Sequence, residues 1–264
     1  MTARTSGFVV ALVVALTLGW ASPGAAETRN IDRTLPLSAA GAVTLDVHNG
    51  SIQVRTWDRP EVEVHVRIES HDSSSASRRR ANQVSVDIEG SPDRVSIKSR
   101  MFERDTWSVW YLMFGDWADA PKVSYSITAP KGVRWRISDH NANAEIRDVN
   151  AALDVSTHNG SVRVVNLGGP LALSMHNGYA NIDFASFTSD SRIATHNGTV
   201  ELAMPAASRF AVDARGHHIH VSSDFPVAIR SSDFGRRDVS GSVNGGGPKL
   251  QLTAHNGGFR IRSK

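Results

Sequence analysis

From residue 28 onward the chain alternates apolar and polar residues at period two, the signature of strands with one buried face. In Leu153-Asp-Val155-Ser-Thr157-His-Asn159-Gly160 the apolar residues hold odd positions, and Val162 and Val164 continue inward after the turn. The pattern recurs with Leu171, Leu173, Met175, Asn177, Ala180 and Ile182, then with Ile193, Thr195, Asn197, Val200 and Leu202. A last copy uses Leu250, Leu252, Ala254, Asn256, Phe259 and Ile261. Each recurrence is centred on one tripeptide: His-Asn-Gly begins at His48, His158, His176, His196 and His255, with a degraded copy at His140-Asn141-Ala142. The intervals between His140 and His196 are 18, 18 and 20 residues, and the 59 from His196 to His255 is close to three more. A fixed period near ~20 residues predicts a solenoid in which each repeat stacks on the last. The expected fold is therefore all-β: a single-stranded β-helix of about 18–20 residues per coil, with regular coils over residues 133–264.

Residues 27–132 read as an irregular N-terminal β part of the same domain. They open with the same unit around His48 and continue through strands at 62–68, 84–88, 95–97 and 123–127, with a polar stretch at 73–82 that reads as a loop or one short helix. One later coil is imperfect: Val212, Ala214, Gly216, Ile219 and Val221 keep the apolar pattern around Arg215-Gly216-His217. Residues 230–247 are Gly-rich and read as a bulging loop.

The tripeptide has a physical reading. Gly50, Gly160, Gly178, Gly198 and Gly257 supply the backbone freedom a sharp turn needs. Asn49, Asn159, Asn177, Asn197 and Asn256 share the parity of the buried residues, so their amides are expected to turn inward and bond to backbone or to the next Asn in a ladder. The histidines have the opposite parity and should project outward as a column at the strand spacing of about 4.8 Å.

The first 26 residues have the form of a Sec signal peptide: Arg4, an apolar run from Phe8 to Trp20, and small residues up to a cut after Ala26. The run is shorter than the roughly 20 residues of a membrane span, and no second one follows, so the mature chain 27–264 is expected to carry no transmembrane segment and to reach the periplasm or the exterior. The chain has no cysteine, which excludes a disulfide framework. Removing the leader leaves 28 basic against 26 acidic residues, a net charge of +2. That small excess, and one basic run at Arg78-Arg79-Arg80 without interleaved aromatics, argue against nucleic-acid binding.

The opening Val43-Thr-Leu-Asp-Val-His-Asn-Gly-Ser-Ile-Gln-Val54, the phrase Ser126-Ile-Thr-Ala-Pro-Lys-Gly132, the repeated Thr-His-Asn-Gly-Ser/Thr-Val units and the terminal Leu252-Thr-Ala-His-Asn-Gly-Gly-Phe-Arg-Ile261 together resemble the bacterial putative-adhesin domain family of unknown function. The resemblance spans residue 36 to the end and implies a β-helix outside the cytoplasm, but little about activity. The histidine before so many Asn-Gly turns and the aromatic stretch after Met101 depart from it.

Three features bear on chemistry. His140, His158, His176 and His196 lie on successive coils, where neighbouring imidazoles suit Zn²⁺ or Cu²⁺. No cysteine or acidic column completes such a sphere, and repetition of the coil is a sufficient account of the outward rings. Residues 102–117 concentrate Trp107, Trp110, Tyr111, Phe114 and Trp117, which read as a cap over an open coil end, as a contact surface for a protein or glycan partner, or as a membrane-interface wedge. Catalysis is not expected: there is no Gly-x-Ser-x-Gly elbow, no His-Glu-x-x-His and no phosphate loop, and Asp154, Asp183 and Asp213 read as solvated charge. The chain reads as an exported, non-enzymatic binding or surface-interaction module without a cofactor. The alternatives are a periplasmic metal-binding protein using the histidine column and a polysaccharide-processing enzyme.

Overall fold

A computed structural model describes residues 27–100, 120–231 and 237–264. They form an all-β structure dominated by one large mixed sheet of 14 strands. Six long strands organise it: β2 (Ala42–Trp57), β7 (Arg134–Arg147), β8 (Leu153–Leu167), β9 (Leu171–Phe184), β10 (Ser191–Met204) and β14 (Lys249–Ser263). They pair in parallel in that spatial order.

Each long strand runs through its tripeptide rather than ending at it. The parity of burial reverses there: Thr157 and Val162 are both buried although five positions apart, and so are Met175 and Ala180. Both arms of every long strand thus feed the same hydrophobic core, from Leu45, Ile137, Val155 and Ile193 on one side to Val54, Ile146, Val164 and Leu202 on the other. Phe184, Phe187, Phe210 and Phe225 meet edge to face within it, at centroid distances of 5.2–5.7 Å.

The N-terminal part is where parallel order breaks down. β1 (Thr28–Pro36) pairs antiparallel with β3 (Glu61–Glu69), and β3 antiparallel with β6 (Lys122–Pro130), which joins β2 in parallel. The hairpin of β4 (Ser85–Ser91) and β5 (Arg94–Arg100) joins the first arm of β2. The polar stretch before β4 is a helix, α1 (Ser75–Gln83), whose N-cap Ser74 accepts from the Ser77 N–H; Ser77 and Ala81 are buried.

The C-terminal order departs from the sequence reading. The 59-residue interval suggests two intervening coils between His196 and His255, yet β14 lies directly on β10. β11 (Phe210–Ser223) packs outside β14, and the Gly-rich stretch forms antiparallel strands β12 (Ala228–Ser231) and β13 (Arg237–Val243) beyond β11. The last strand has taken the slot that sequential stacking gives to β11. Apolar alternation fixes which face of a strand is buried, not which neighbour it pairs with.

Candidate functional site

The strand registers bring the six tripeptides into line. Asn49 pairs with Asn141, and the row continues through Asn159, Asn177, Asn197 and Asn256. Each side-chain amide donates to the carbonyl oxygen of the preceding Asn, at 3.1, 2.8, 2.8, 3.1 and 3.0 Å along the row. The amides are half-buried from Asn49 to Asn177 and exposed at Asn197 and Asn256, so the row lies at the margin of the core rather than inside it.

The glycines are required by crowding as much as by angle. Gly160 has φ +150°, and a Cβ there would stand 1.9 Å from the Ala142 carbonyl oxygen of the neighbouring strand. The degraded copy, with Ala142 in the glycine slot, is supported differently: the Ala142 N–H donates to Asp139 Oδ1 at 3.1 Å. Asp139 also accepts from the Thr157 hydroxyl at 2.7 Å, while its second oxygen is buried without a partner. It occupies a buried column otherwise made of Val47, Thr157, Met175, Thr195 and Ala254, and burial pushes its carboxyl up to about 6. Sequence reasoning missed this residue. Its signal was an acid in a core column, on the one coil that lacks the glycine.

The histidines form a continuous stack. His48, His140, His158, His176, His196 and His255 lie face to face, with centroids 5.0, 4.7, 4.6, 4.7 and 4.9 Å apart and planes within 9° of parallel. His48 is half-buried and the other five are exposed. The tilted His217 ring, 5.6 Å from His255, ends the column. Burial, then the charges of flanking imidazoles, lowers the pKa of His140 (neighbours His48 and His158) and of His176 (neighbours His158 and His196).

Beside the column runs an open groove of about 700 Å³. Its far bank is a row of small residues, Ser156, Ser174, Ala194 and Thr253, and Arg215 stands at one end. Arg215 is paired with Asp213 at 2.8 Å. The other two acids considered from sequence are also paired, Asp154 with Arg136 at 3.0 Å and Asp183 with Lys264. Each of the three thus faces a cation rather than a second carboxylate.

The geometry of the stack bears directly on metal binding. An imidazole nitrogen ligates along a direction lying in its ring plane, and Zn–N bonds are about 2.0–2.1 Å. Two stacked, parallel rings share no such plane, so neighbours in the column cannot both ligate one ion until one of them turns. Among the described residues no group of three or more His, Cys, Asp or Glu side chains is placed to hold a metal. Trp107, Trp110, Tyr111, Phe114 and Trp117 lie outside the described residues. No helix among the described residues is long and apolar enough to cross a membrane.

No protein-family model and no curated protein matches the chain. Among solved structures it is similar to a putative cell adhesion protein from Clostridium sporogenes ATCC 15579, at 10% identity and a TM-score of 0.46 over 89% of this chain and 100% of that one. A putative adhesin from Bacteroides fragilis NCTC 9343 is similar at 11% identity and a TM-score of 0.41, over 89% and 97%. A third, a putative adhesin from Parabacteroides merdae ATCC 43184, gives 11% identity and a TM-score of 0.27, over 88% and 95%.

Proposed function

We propose that the chain is an exported, non-enzymatic β-solenoid that acts as an adhesin-like binding module for a protein or glycan partner. Residues 1–26 are its signal peptide, 27–264 its single domain, and the periplasm or the exterior its location. The observation that carries this reading is the register of six parallel strands. It turns the histidine and asparagine positions of the tripeptide into uninterrupted columns of like side chains and leaves a polar, open groove beside them. Such a surface suits extended partners that make many small, repeated contacts. The ion-paired acids speak for binding rather than turnover.

The test is saturable binding of labelled purified protein to isolated bacterial envelope fractions, competed by unlabelled protein. The absence of competed binding to any fraction would refute the reading. In the aromatic segment, replacing Trp107, Trp110 and Trp117 should abolish capture of a protein partner while the circular dichroism spectrum is kept. N-terminal sequencing of the exported product should begin at Glu27. The metal-binding alternative rests on the histidine column and requires its rings to leave the stacked arrangement.

A further inference from the structure

The histidine column offers a ligand something specific. Ring faces are engaged with one another, so a nucleobase or an aromatic side chain finds no free face to stack on in the body of the column. Only the imidazole edges are presented. A neutral ring brings one N–H donor and one acceptor, and a protonated ring brings two donors. The edges repeat at every strand, and the small bank opposite lets a chain lie close to them, with the Ser156, Ser174 and Thr253 hydroxyls ready to exchange hydrogen bonds.

The charges around the column are sparse. On β8, β9, β10 and β14 the residues two positions before each histidine are Ser156, Ser174, Ala194 and Thr253, and those three positions after are Ser161, Tyr179, Thr199 and Gly258, none of them charged. From β7 only Asp139 approaches, buried beneath the groove. At the β2 end Asp46 is the register partner of Lys98 on β5, and Lys122 opens β6 alongside. At the β11 end stand His217 and the Arg215–Asp213 pair. In the strip of these four strands nearest the groove the imidazoles are therefore the groups that titrate between about pH 5 and 8. The next outward positions carry Asp154, held by Arg136, and Arg192 beyond the small-residue bank, and Arg163, Glu201 and Arg260 on the other arm.

Building on the binding-module reading above, we propose that this groove holds a linear acidic polysaccharide, its carboxylates ranged along the histidine edges and its hydroxyls over the small-residue bank. The strands repeat at about 4.8 Å, the length scale of one sugar residue, so an extended polymer lying across them meets equivalent rungs along its length and turns carboxylates toward the column at intervals. Each contact is weak, and affinity comes from their number on one chain. Bound carboxylates favour the protonated rings, so binding takes up protons and tightens as pH falls through the histidine range.

The experiment is calorimetric titration of the purified protein with polygalacturonate at pH 5.5 and 7.5, in two buffers of different ionisation enthalpy. Its methyl-esterified form, polyphosphate and single-stranded DNA serve as comparison polymers. The expected result is binding at least about tenfold tighter at pH 5.5 with net proton uptake, lost by at least about tenfold in His158→Gln/His176→Gln. Ser174→Leu, which leaves every imidazole in place and only raises the bank, should lose a similar factor, and both variants are checked by circular dichroism. Binding of polygalacturonate that neither variant weakens, or no binding at pH 5.5, overturns the proposal. Equal binding of polyphosphate or DNA overturns the polysaccharide assignment. If any of these is found while envelope fractions are still bound saturably, the groove inference fails and the binding-module reading stands.

Discussion

Replacing Asp139 by Asn should remove a pH-dependent loss of stability, and the size of that loss follows from the structure. The Asp139 carboxyl titrates at about 6 in the fold, against an ordinary value of 3.8, because its ionised form is buried. At about 1.4 kcal/mol per pH unit, the folded state disfavours the carboxylate by roughly 3 kcal/mol relative to the unfolded chain. Below pH 3.8 the group is protonated in both states and nothing is lost. As pH rises from there through 6 the penalty develops, and above 6 it is complete. Stability should therefore fall with rising pH across this window.

In the Asn variant the carbonyl oxygen keeps the Thr157 hydroxyl and the Ala142 N–H, while the amide nitrogen takes the place of an oxygen that has no partner. That unpartnered amide costs about 1–3 kcal/mol, but equally at every pH. The decisive quantity is thus a difference of differences. Variant minus wild type, compared between pH 8 and pH 4, should shift by about 2–3 kcal/mol in favour of the variant, or roughly 5–10 °C in Tm for a chain of this size. Thermal unfolding followed by circular dichroism at both pH values reads it. Histidine titration cancels because it is common to both proteins. Parallel pH profiles for the two proteins would refute the assignment of a buried, perturbed carboxyl.

Gly160→Ala should lower stability by at least about 2 kcal/mol, because the added Cβ meets the Ala142 carbonyl at 1.9 Å and the backbone must move; an unchanged denaturation midpoint would contradict the register. Asn177→Ala breaks two rungs of the amide ladder at a half-exposed site where water can substitute, so a loss of about 1–2 kcal/mol in urea unfolding is expected. The His176 ring should titrate below an ordinary histidine by NMR, and move up in His158→Gln/His196→Gln once its charged neighbours are gone. Titration with Zn²⁺ or Cu²⁺ should show no tight site dependent on His158 and His176, since their planes lie 4° from parallel; tight binding abolished by His158→Ala/His176→Ala would mean that the rings turn to meet the metal.

Period-two alternation made the all-β character and most strands legible in the sequence, because a strand with one buried face has to write its burial into every second residue. The repeat interval of 18 likewise made the mutual alignment of His140, His158 and His176 readable. What the sequence hid was long-range choice of neighbour. The apolar pattern of residues 249–263 fits insertion between β10 and β11 as well as stacking after them, and only the tripeptide at His255 matches β10 and not β11. Asp139 was hidden for a related reason: its role depends on an oxygen-to-amide contact across the turn at Ala142, and alternation records only that position 139 faces in. The depth of the Asn row was also misjudged, because parity reverses at the tripeptide and leaves those amides at the core margin.

The inserted last strand adds weight to the histidine column as a unit. In sequence, the tripeptide is interrupted: β11 follows β10 and carries Arg215-Gly216-His217 in its place. In space there is no interruption, because β14 stands between them and supplies His255 directly onto His196. The tripeptide, with its degraded copy on β7, thus occupies six contiguous strands and stops where the contiguous stack reaches β11. Ladder continuity explains this for Asn, whose amides bond to one another, and crowding explains it for Gly. Neither reason reaches the histidine, whose ring packs on the rings of the neighbouring strands at 4.6–5.0 Å and is exposed on five of the six strands. Repetition of a coil consensus explains histidines on neighbouring repeats, but it is indifferent to whether a distant strand, placed by topology, completes the same column. An outward row of imidazoles that is continuous in space and broken in sequence is what a linear ligand lying across the strands would require.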